Sequence, residues 1–494
     1  MIRKPGTRTC WMTLATTLAL AATALGAGET EEKTIWYALS TGGRKAGHAR
    51  YTRRVEDGRV LTTMKMSFCL ARGRRPLTIR TTNTHIETLE GEPLAYRYET
   101  DLGGTAKTVR GTVEDGQITV VTKIGQTERT RTTPWPEGAL MSEGLRLLQL
   151  RQGAKPGTSY KAKSFEAGSS SAMDMQVRIG KREKTDLFGR VVLLREVRTT
   201  MASPLGKITS TSYVDEQFYQ LKSSIPAFGT RITLTACPKA AALAEGEPSE
   251  LLQRVMASCP KPDGDPRDAA TVTFRLKPVG DHELAIPETD DQTVRREEDG
   301  TVVVTVHPVA APSDVALPYV GDDERARAAL RPSQYVESDD ETVVALAREA
   351  VGDADDAATA ARRIEAFVRE HIADKNLSVG YASAAEVADA KTGDCTEHAV
   401  LTAAMCRAAG IPAEMVSGLA YAPRYAGREH VLVPHAWCRA YVGATWVGLD
   451  AAIPEGYGAA RIALSAGSDA DPQSFINVAT TLGYFEVADM TLGE

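Results

Sequence analysis

Alternating apolar and polar residues dominate the first half of the chain. Between residues 33 and 236, hydrophobic side chains recur at every second position in short runs, as in Val60–Leu70. This period predicts half-buried β-strands, and the turns rich in Gly, Asp and Asn between the runs predict hairpins. The expected strands are Thr34–Ser40, Ala46–Arg54, Val60–Leu70, Thr78–Glu87, Ala95–Thr100, Gln117–Ile124, Val191–Thr200 and Ile208–Val214, with one helix at Met141–Leu150.

The pattern changes after residue 236. Residues 237–269 are rich in Ala, Glu and Pro and are expected to form a linker, and residues 270–312 contain two strand-like runs that predict a small β lead-in. From about residue 330 the apolar positions follow a helical period. We therefore expect an α+β chain, with an N-terminal antiparallel β domain over residues 33–236 and an α+β domain over residues 330–490.

Capping signals support the helical assignment. Ser338–Glu341 has the spacing of a capping box that begins a helix, and Gly352 is a suitable end for it. A second helix is predicted around residues 357–368, where apolar side chains are three and four positions apart.

The first 27 residues are expected to be a separate segment. Arg3, Lys4 and Arg8 precede an apolar run, Thr13–Ala27, that ends in small residues suited to cleavage. This pattern predicts a secretory signal peptide, because a membrane-spanning helix needs about 20 apolar residues and this run is shorter. No other stretch is long and apolar enough to span a bilayer, so the mature protein is predicted to be periplasmic or secreted.

Composition narrows the classes of function. The 494 residues are 43% hydrophobic and 25% charged, which is typical of a globular chain of about three domains. The formal charge of −6 and the lack of a basic run exclude nucleic acid as the expected partner, because Lys and Arg contacts with phosphate supply most of that affinity. Cys237 and Cys259, each followed by Pro-Lys, are the best candidates for a disulfide, and buried free thiols are the alternative.

Cys395 is predicted to lie in the first turn of a helix. Asp394 and Glu397 flank it with the spacing of an N-terminal cap, and the Ala-rich run ends before Gly410 and Pro412. At such a position the helix dipole and the free backbone N–H groups favour a thiolate and are placed to stabilise an oxyanion. A buried structural thiol is the alternative for any single cysteine, so a nucleophile also requires a base.

A predicted hairpin supplies the base and its partner. The strand-like runs 430–441 and 445–451 are joined by a two-residue turn, which places Asp450 opposite Trp437 and diagonal to His435 on the same face. Diagonal neighbours are about 7–8 Å apart at Cα, within reach of an imidazole and a carboxylate. A shift of one residue would move Asp450 to the other face.

These segments resemble the transglutaminase-like superfamily over about residues 330 to 465. The matching segments are Gly393-Asp394-Cys395, Arg407-Ala408-Ala409-Gly410-Ile411-Pro412-Ala413, His435-Ala436-Trp437 and Trp446-x-x-Leu449-Asp450. The resemblance implies a papain-like core in which a Cys helix packs on an antiparallel sheet. It also implies that Cys395 is the nucleophile, His435 the general base and acid, and Asp450 the carboxylate that orients the imidazole.

Three further residues are candidates to line this site. His398 follows Cys395 by three helical positions, and Trp437 and Trp446 share the predicted face of His435. Packing is the alternative role for each of them.

The sequence also departs from the animal transglutaminases. They use a Trp upstream of the Cys to stabilise the oxyanion, whereas the nearest upstream Trp here is Trp135, so the second oxyanion donor is unassigned. No loop has EF-hand spacing, and His430 and His435 lack a third ligand in a recognisable motif. We expect no metal and no cofactor.

Two functions from different classes remain. The first is an exported enzyme that attacks an amide carbonyl of a peptide or protein, including cell-envelope proteins, and forms a thioester on Cys395. Water or an amine then accepts the acyl group, and hydrolysis is the default because acyl transfer also requires a site that admits an amine and excludes water. The second is a non-catalytic envelope module whose β domain binds protein, glycan or lipid.

Overall fold

The computed structural model describes residues 31–71, 76–101, 106–124, 127–203, 205–333, 335–373, 382–467 and 472–493. The predicted signal peptide, residues 1–27, lies outside the described residues. Within these ranges, none of the helices combines the length and the apolar character needed to cross a membrane.

A large sheet forms the N-terminal part of the molecule. Among the described residues it has fifteen strands, in the order β8-β7-β6-β5-β4-β3-β2-β1-β15-β14-β13-β12-β11-β10-β9. The strands are β1 (Glu31–Thr41), β2 (Arg44–Glu56), β3 (Arg59–Leu70), β4 (Leu77–Thr88), β5 (Pro93–Asp101), β6 (Ala106–Glu114), β7 (Gln117–Ile124), β8 (Thr127–Pro134), β9 (Ala139–Leu140), β10 (Ser159–Glu166), β11 (Ser171–Leu187), β12 (Arg190–Ala202), β13 (Lys207–Val214), β14 (Gln220–Ala227) and β15 (Thr230–Ala236). Strands that are neighbours in the sheet are also neighbours along the chain, except where β1 pairs with β15 and Tyr37 lies opposite Ala236.

The two edges of this sheet approach each other. Its edge strands β8 and β9 follow one another in the chain, so the short connection between them passes from one edge to the other. At this junction Trp135 stacks on Phe165 with ring centroids 4.5 Å apart, and Tyr96 of β5 meets the same ring edge-on at 5.0 Å. The sheet therefore curls around a buried apolar cluster that joins residues from both of its ends.

The C-terminal part combines helices with two smaller sheets. One sheet has the order β16-β21-β20-β23 with β22 paired to β21, and the other has the order β18-β19-β17-β24. Their strands are β16 (Ala257–Ser258), β17 (Thr271–Pro278), β18 (Gln292–Arg296), β19 (Val302–Val306), β20 (Ala413–Tyr425), β21 (Arg428–Val442), β22 (Thr445–Leu449), β23 (Arg461–Gly467) and β24 (Phe485–Gly493). The helices of the described chain are α1 (Ser142–Gln152), α2 (Lys239–Leu243), α3 (Leu251–Arg254), α4 (Glu324–Ala328), α5 (Glu341–Val351), α6 (Ala357–His371), α7 (Ala384–Ala390), α8 (Cys395–Ala408) and α9 (Pro472–Thr481).

Helix α8 is the central element of this part. It is buried among α5, α6, α7 and β21, where Leu401 and Met405 belong to the largest apolar cluster. The thiols of Cys406 on α8 and Cys438 on β21 are both fully buried and contact each other, and this burial raises the pKa of Cys438 well above the ordinary value of a thiol. The contact fixes the helix against the strand.

The N-terminal and C-terminal parts are packed together. Ile476 and Ala479 of α9 are fully buried in a cluster with Ile208 and Ala227 of the large sheet, and the backbone N–H of Phe228 donates to the carbonyl oxygen of Ala479 at 2.8 Å. Strand β24 also pairs with β17, so the end of the chain completes the sheet of the lead-in.

The predominantly β character predicted before residue 237 is present, but seven of these strands were not expected, one of them the two-residue β9. Strands β6, β8, β10, β11, β14 and β15 carry many Ser, Thr, Lys and Arg residues, which obscure the alternating pattern. Their place in the sheet comes from pairing with neighbours rather than from their own hydrophobicity.

Two local predictions were wrong. Helix α5 is capped by Asp340, whose carboxylate accepts from the amides of Thr342 and Val343, and not by Ser338. Cys237 and Cys259 are free thiols, because Cys237 follows β15 while Cys259 follows β16 beside β21.

Candidate active site

A tight N-terminal cap places Cys395 at the start of α8. Asp394 is the N-cap, and its carboxylate accepts from the amide of Thr396 at 2.9 Å. Glu397 completes the capping box by accepting from the amide of Asp394 at 2.9 Å. The preceding residue is glycine because a Cβ on Gly393 would lie 2.3 Å from the Cβ of Glu397.

Glu397 is a buried structural residue. Its second carboxylate oxygen accepts from the amide of Ala382 at 3.1 Å, so it connects the segment before α7 to the first turn of α8. Burial, together with the neighbouring Asp394 carboxylate, raises the pKa of Glu397 to about 8. These bonds hold the start of the helix in one arrangement.

The same cap leaves one amide of the first turn for a ligand. The Asp394 side chain accepts from Thr396 and from the backbone of Glu397, whereas the amide of Cys395 is the first of the helix and has no carbonyl one turn earlier to bind. A carbonyl oxygen that becomes negatively charged beside the Cys395 sulfur can accept from this N–H.

The predicted hairpin register is present in β21 and β22. Val442 pairs with Thr445 and Cys438 with Leu449, which brings Asp450 to the position after β22. The Nε2 atom of His435 lies 2.8 Å from Oδ2 of Asp450. The His435 side chain also forms a hydrogen bond with Cys395. Because Nε2 is used by Asp450, Nδ1 is the imidazole nitrogen that remains for the sulfur.

The electrostatics favour a charged imidazole. Burial of His435 lowers its pKa, but the charge and hydrogen bond of Asp450 and the contact with Cys395 outweigh burial and raise the pKa to about 9. Burial would raise the pKa of Asp450, but His435 and Arg461 hold it at about 2. At neutral pH the structure therefore holds an imidazolium between the Asp450 carboxylate and the Cys395 sulfur.

Arg461 is a further charged residue at this site, and no sequence motif pointed to it. It is the first residue of β23, it is buried, and its Nε and Nη2 atoms donate to Oδ2 of Asp450 at 3.0 and 2.6 Å. The oxygen that accepts from His435 therefore also accepts from a guanidinium. The carbonyl oxygens of Gly456 and Gly458 accept two further guanidinium hydrogens.

The backbone of Asp450 is fixed as well. Its amide donates to Oε1 of the buried Glu365 on α6 at 2.7 Å, and its second carboxylate oxygen accepts from the amide of Ala452 at 3.1 Å. Arg362 and Arg369 of α6 pair with Glu365. The Asp450 carboxylate is thus held by a helix, a turn and a strand.

Trp437 packs beside the imidazole. The rings of His435 and Trp437 are nearly parallel, with centroids 6.1 Å apart, and only 2% of Trp437 is exposed. Tyr457 covers another side of the indole and donates its hydroxyl to Asp291, just before β18. Trp437 therefore supports the His435 ring from within the protein.

His398 and Trp446, the other two residues predicted to line the site, make different contacts from Trp437. His398 is buried and its Nδ1 atom donates to the carbonyl oxygen of Asp394 at 2.7 Å, one turn earlier on its own helix. Trp446 pairs with Tyr441, which is six residues beyond His435 and about 20 Å further along the strand. Its ring packs against Arg439 instead.

The polar residues near Cys395, His435 and Asp450 do not have the arrangement of a metal site. In the part of the chain that the structure describes, no three His, Cys, Asp or Glu side chains are grouped so that they could hold an ion. His430 makes its contact elsewhere: its Nδ1 atom lies 2.7 Å from the hydroxyl of Tyr421.

Comparisons with known proteins give a family match over the part of the chain that contains Cys395, His435 and Asp450. Residues 344–451 match the sequence profile of the transglutaminase-like superfamily. A candidate cysteine protease from Cytophaga hutchinsonii is similar at 20% identity and a TM-score of 0.32, over 48% of this chain and 86% of that one. A candidate protease from Parabacteroides distasonis is similar at 12% identity and a TM-score of 0.20, over 75% and 69% of the two chains. A search of curated proteins finds no significant match.

Proposed function

We propose, from the premise that residues 344–451 form a transglutaminase-like superfamily domain, that this protein is a thiol hydrolase acting on amide bonds of peptides or proteins. The observation that carries the proposal is the contact chain from Cys395 through His435 to Asp450 at a capped helix N-terminus. A nucleophile, a base and an orienting carboxylate in this order are the requirements for acyl transfer through a thioester.

The first half of the reaction follows from the charges. The Cys395 thiolate attacks the carbonyl carbon, and the electron pair of the C=O bond moves to oxygen, where the Cys395 N–H stabilises it. When the tetrahedral intermediate collapses, the C–N bond breaks and His435 gives its Nδ1 proton to the leaving amine. The product is a thioester on Cys395 and a neutral His435.

The second half regenerates the enzyme. His435 accepts a proton from water as the water oxygen attacks the thioester carbonyl, and collapse of the second intermediate breaks the C–S bond. The acid leaves, and the thiolate–imidazolium pair returns. An amine in place of water would give a new amide, so the acceptor decides between hydrolase and transferase.

The substrate and the location are part of the same proposal. We propose an exported enzyme that meets its peptide or protein substrates in the periplasm or outside the cell, because residues 1–27 have the pattern of a signal peptide. Envelope proteins would be accessible there.

The test is alkylation of Cys395 by iodoacetamide over a range of pH, read by peptide mass spectrometry. We expect rapid labelling at about pH 6, well below the ordinary thiol pKa of about 8.5, because the imidazolium stabilises the thiolate. The variant His435→Ala should lose this labelling. His430→Ala, on the same strand but bonded to Tyr421, is the matched control and should label like the wild type.

Circular dichroism of each variant separates lost reactivity from lost folding. Labelling that rises only near the ordinary thiol pKa, or that is equal in the wild type and His435→Ala, would contradict the proposal and favour a binding module. Peptide hydrolysis that is absent in Cys395→Ala then identifies substrates.

A further inference from the structure

A cavity lies away from Cys395, between the large sheet and the helical part. It has a volume of about 750 Å³, and its lining comes from β7, β8, the turn before β11 and described residues between 325 and 339. This volume is within the range of small-molecule sites. Arg407 also lines it, twelve residues after Cys395 on α8 and therefore about 18 Å from it along the helix axis.

The cavity carries an excess of positive charge. Its described lining has five arginines and three carboxylates. All three carboxylates are already in ion pairs: Arg129 binds Glu337 at 2.8 Å and Asp339 at 3.0 Å, and Arg325 binds Glu414 at 2.9 Å. Five guanidinium groups against three carboxylates leave the described lining with a net charge of +2.

Arg131 and Arg331 hold that charge. Both side chains are exposed at the cavity, and neither guanidinium forms an ion pair with a carboxylate of the described chain. They come from different elements, Arg131 from β8 of the large sheet and Arg331 from the segment after α4. The latter segment is fixed, because Arg407 donates to the carbonyl oxygen of Arg331 at 2.7 Å.

Hydroxyl groups complete the lining. Ser169 and Ser171 bond to each other at 2.8 Å, and Ser170 bonds to Tyr96 at 2.6 Å, which leaves these hydroxyls capacity for a further contact. None of the described lining residues is aromatic, so the cavity offers no ring on which a base or sugar could stack. Its chemistry is that of guanidinium and hydroxyl donors.

We propose that this cavity binds a small oxyanion, a ligand whose carboxylate or phosphate groups lie between Arg131 and Arg331. A guanidinium matches the planar pair of oxygens of such groups and can donate two hydrogen bonds to them. The ligand joins the two parts of the molecule. The site is independent of the reaction proposed for Cys395.

Isothermal titration calorimetry of the full chain with citrate and with pyrophosphate tests this proposal. In a chloride buffer of constant ionic strength, we expect the wild type to bind at least one probe, and the one preferred distinguishes a carboxylate from a phosphate ligand. Arg131→Gln and Arg331→Gln should each weaken binding by about tenfold or more, because each removes a charge-assisted contact. Arg178→Gln, an exposed arginine of β11 outside the cavity, is the matched control and should bind like the wild type.

Each variant should keep the circular dichroism spectrum and the Cys395 alkylation rate of the wild type, so that weaker binding reports the cavity alone. The proposal is overturned if the wild type binds neither probe at millimolar concentrations. It is equally overturned if the variant that combines Arg131→Gln and Arg331→Gln retains wild-type affinity. The same holds if Arg178→Gln weakens binding as much as the cavity variants do.

Discussion

At the residue scale, one oxygen of Asp450 accepts from both His435 and Arg461. If Asp450 were bonded only to His435, its negative charge would interact with the imidazolium alone. The guanidinium shares the charge, and it keeps Asp450 ionised despite burial. We therefore assign Arg461 a positioning role, acting on His435 through Asp450.

Replacing Arg461 tests this role. Arg461→Gln removes one of the two cations that bind the buried Asp450 carboxylate, so we expect the free energy of unfolding to fall by about 3 kcal/mol, measured by urea denaturation. Cys395 alkylation at about pH 6 should also slow, and Arg461→Lys should restore part of it. The exposed pair Arg424–Glu429 is the control, and Arg424→Gln should change stability by less than about 1 kcal/mol.

The charge of His435 predicts a dependence on pH. Its pKa is about 9 in the folded protein and 6.5 in an unfolded chain, so the folded state binds the proton more tightly. The stabilisation of the folded state by the His435 proton is complete below about pH 6.5, and it is lost as the pH rises through about 9. The difference in unfolding free energy between wild type and His435→Gln should shrink over this window in urea titrations. A difference that is constant with pH would contradict the assigned charge.

Sequence reasoning could place Cys395, His435 and Asp450 because each depends on local structure. A capping box determines where α8 begins, and a two-residue turn determines which residues of the hairpin share a face. Arg461 has no such signal. It reaches Asp450 only because β23 pairs with β20, and this long-range pairing is not encoded in a local sequence pattern.

At the element scale, the first turn of α8 depends on the lack of a side chain at Gly393. Gly393→Ala would place a methyl group 2.3 Å from the Cβ of Glu397, so we expect the capping box to be displaced and Cys395 alkylation at about pH 6 to slow severalfold. Gly458→Ala is the control, because its methyl group would lie 3.5 Å from its nearest neighbour, the carbonyl oxygen of Arg267, which is ordinary van der Waals contact. Equal labelling rates in the two variants would show that the cap does not position the sulfur.

The elements also differ in how well sequence alone predicts them. Helices α5 and α6 have an apolar face, α8 has an apolar run, and all three begin at a capping carboxylate, although the cap of α5 lies two residues after the predicted one. Strand β11 alternates apolar and polar residues only over Met173–Ile179, and the charged run Lys181–Lys184 interrupts that pattern. Its strand conformation comes from β10 and β12 on either side of it.

At the scale of the whole molecule, α9 joins the two parts. Ile476 is fully buried against the large sheet, so Ile476→Ala should lower the free energy of unfolding by about 2 kcal/mol or more. In differential scanning calorimetry we expect a lower transition temperature and a less cooperative transition. Val320→Ala, at a side chain that is 87% exposed, is the control and should leave both unchanged. An unaffected transition in Ile476→Ala would mean that the parts unfold independently.

The pairing of β1 with β15 has a consequence for the newly made chain. Every other neighbouring pair in the described part of the large sheet joins strands that are close in sequence, whereas Tyr37 must find Ala236, about 200 residues later. Because synthesis proceeds from the N-terminus, β1 and the strands after it can form a meander long before β15 exists. Through that interval the outer edge of β1 offers unpaired N–H and C=O groups to any other strand, so this edge is where a delayed or truncated chain would aggregate.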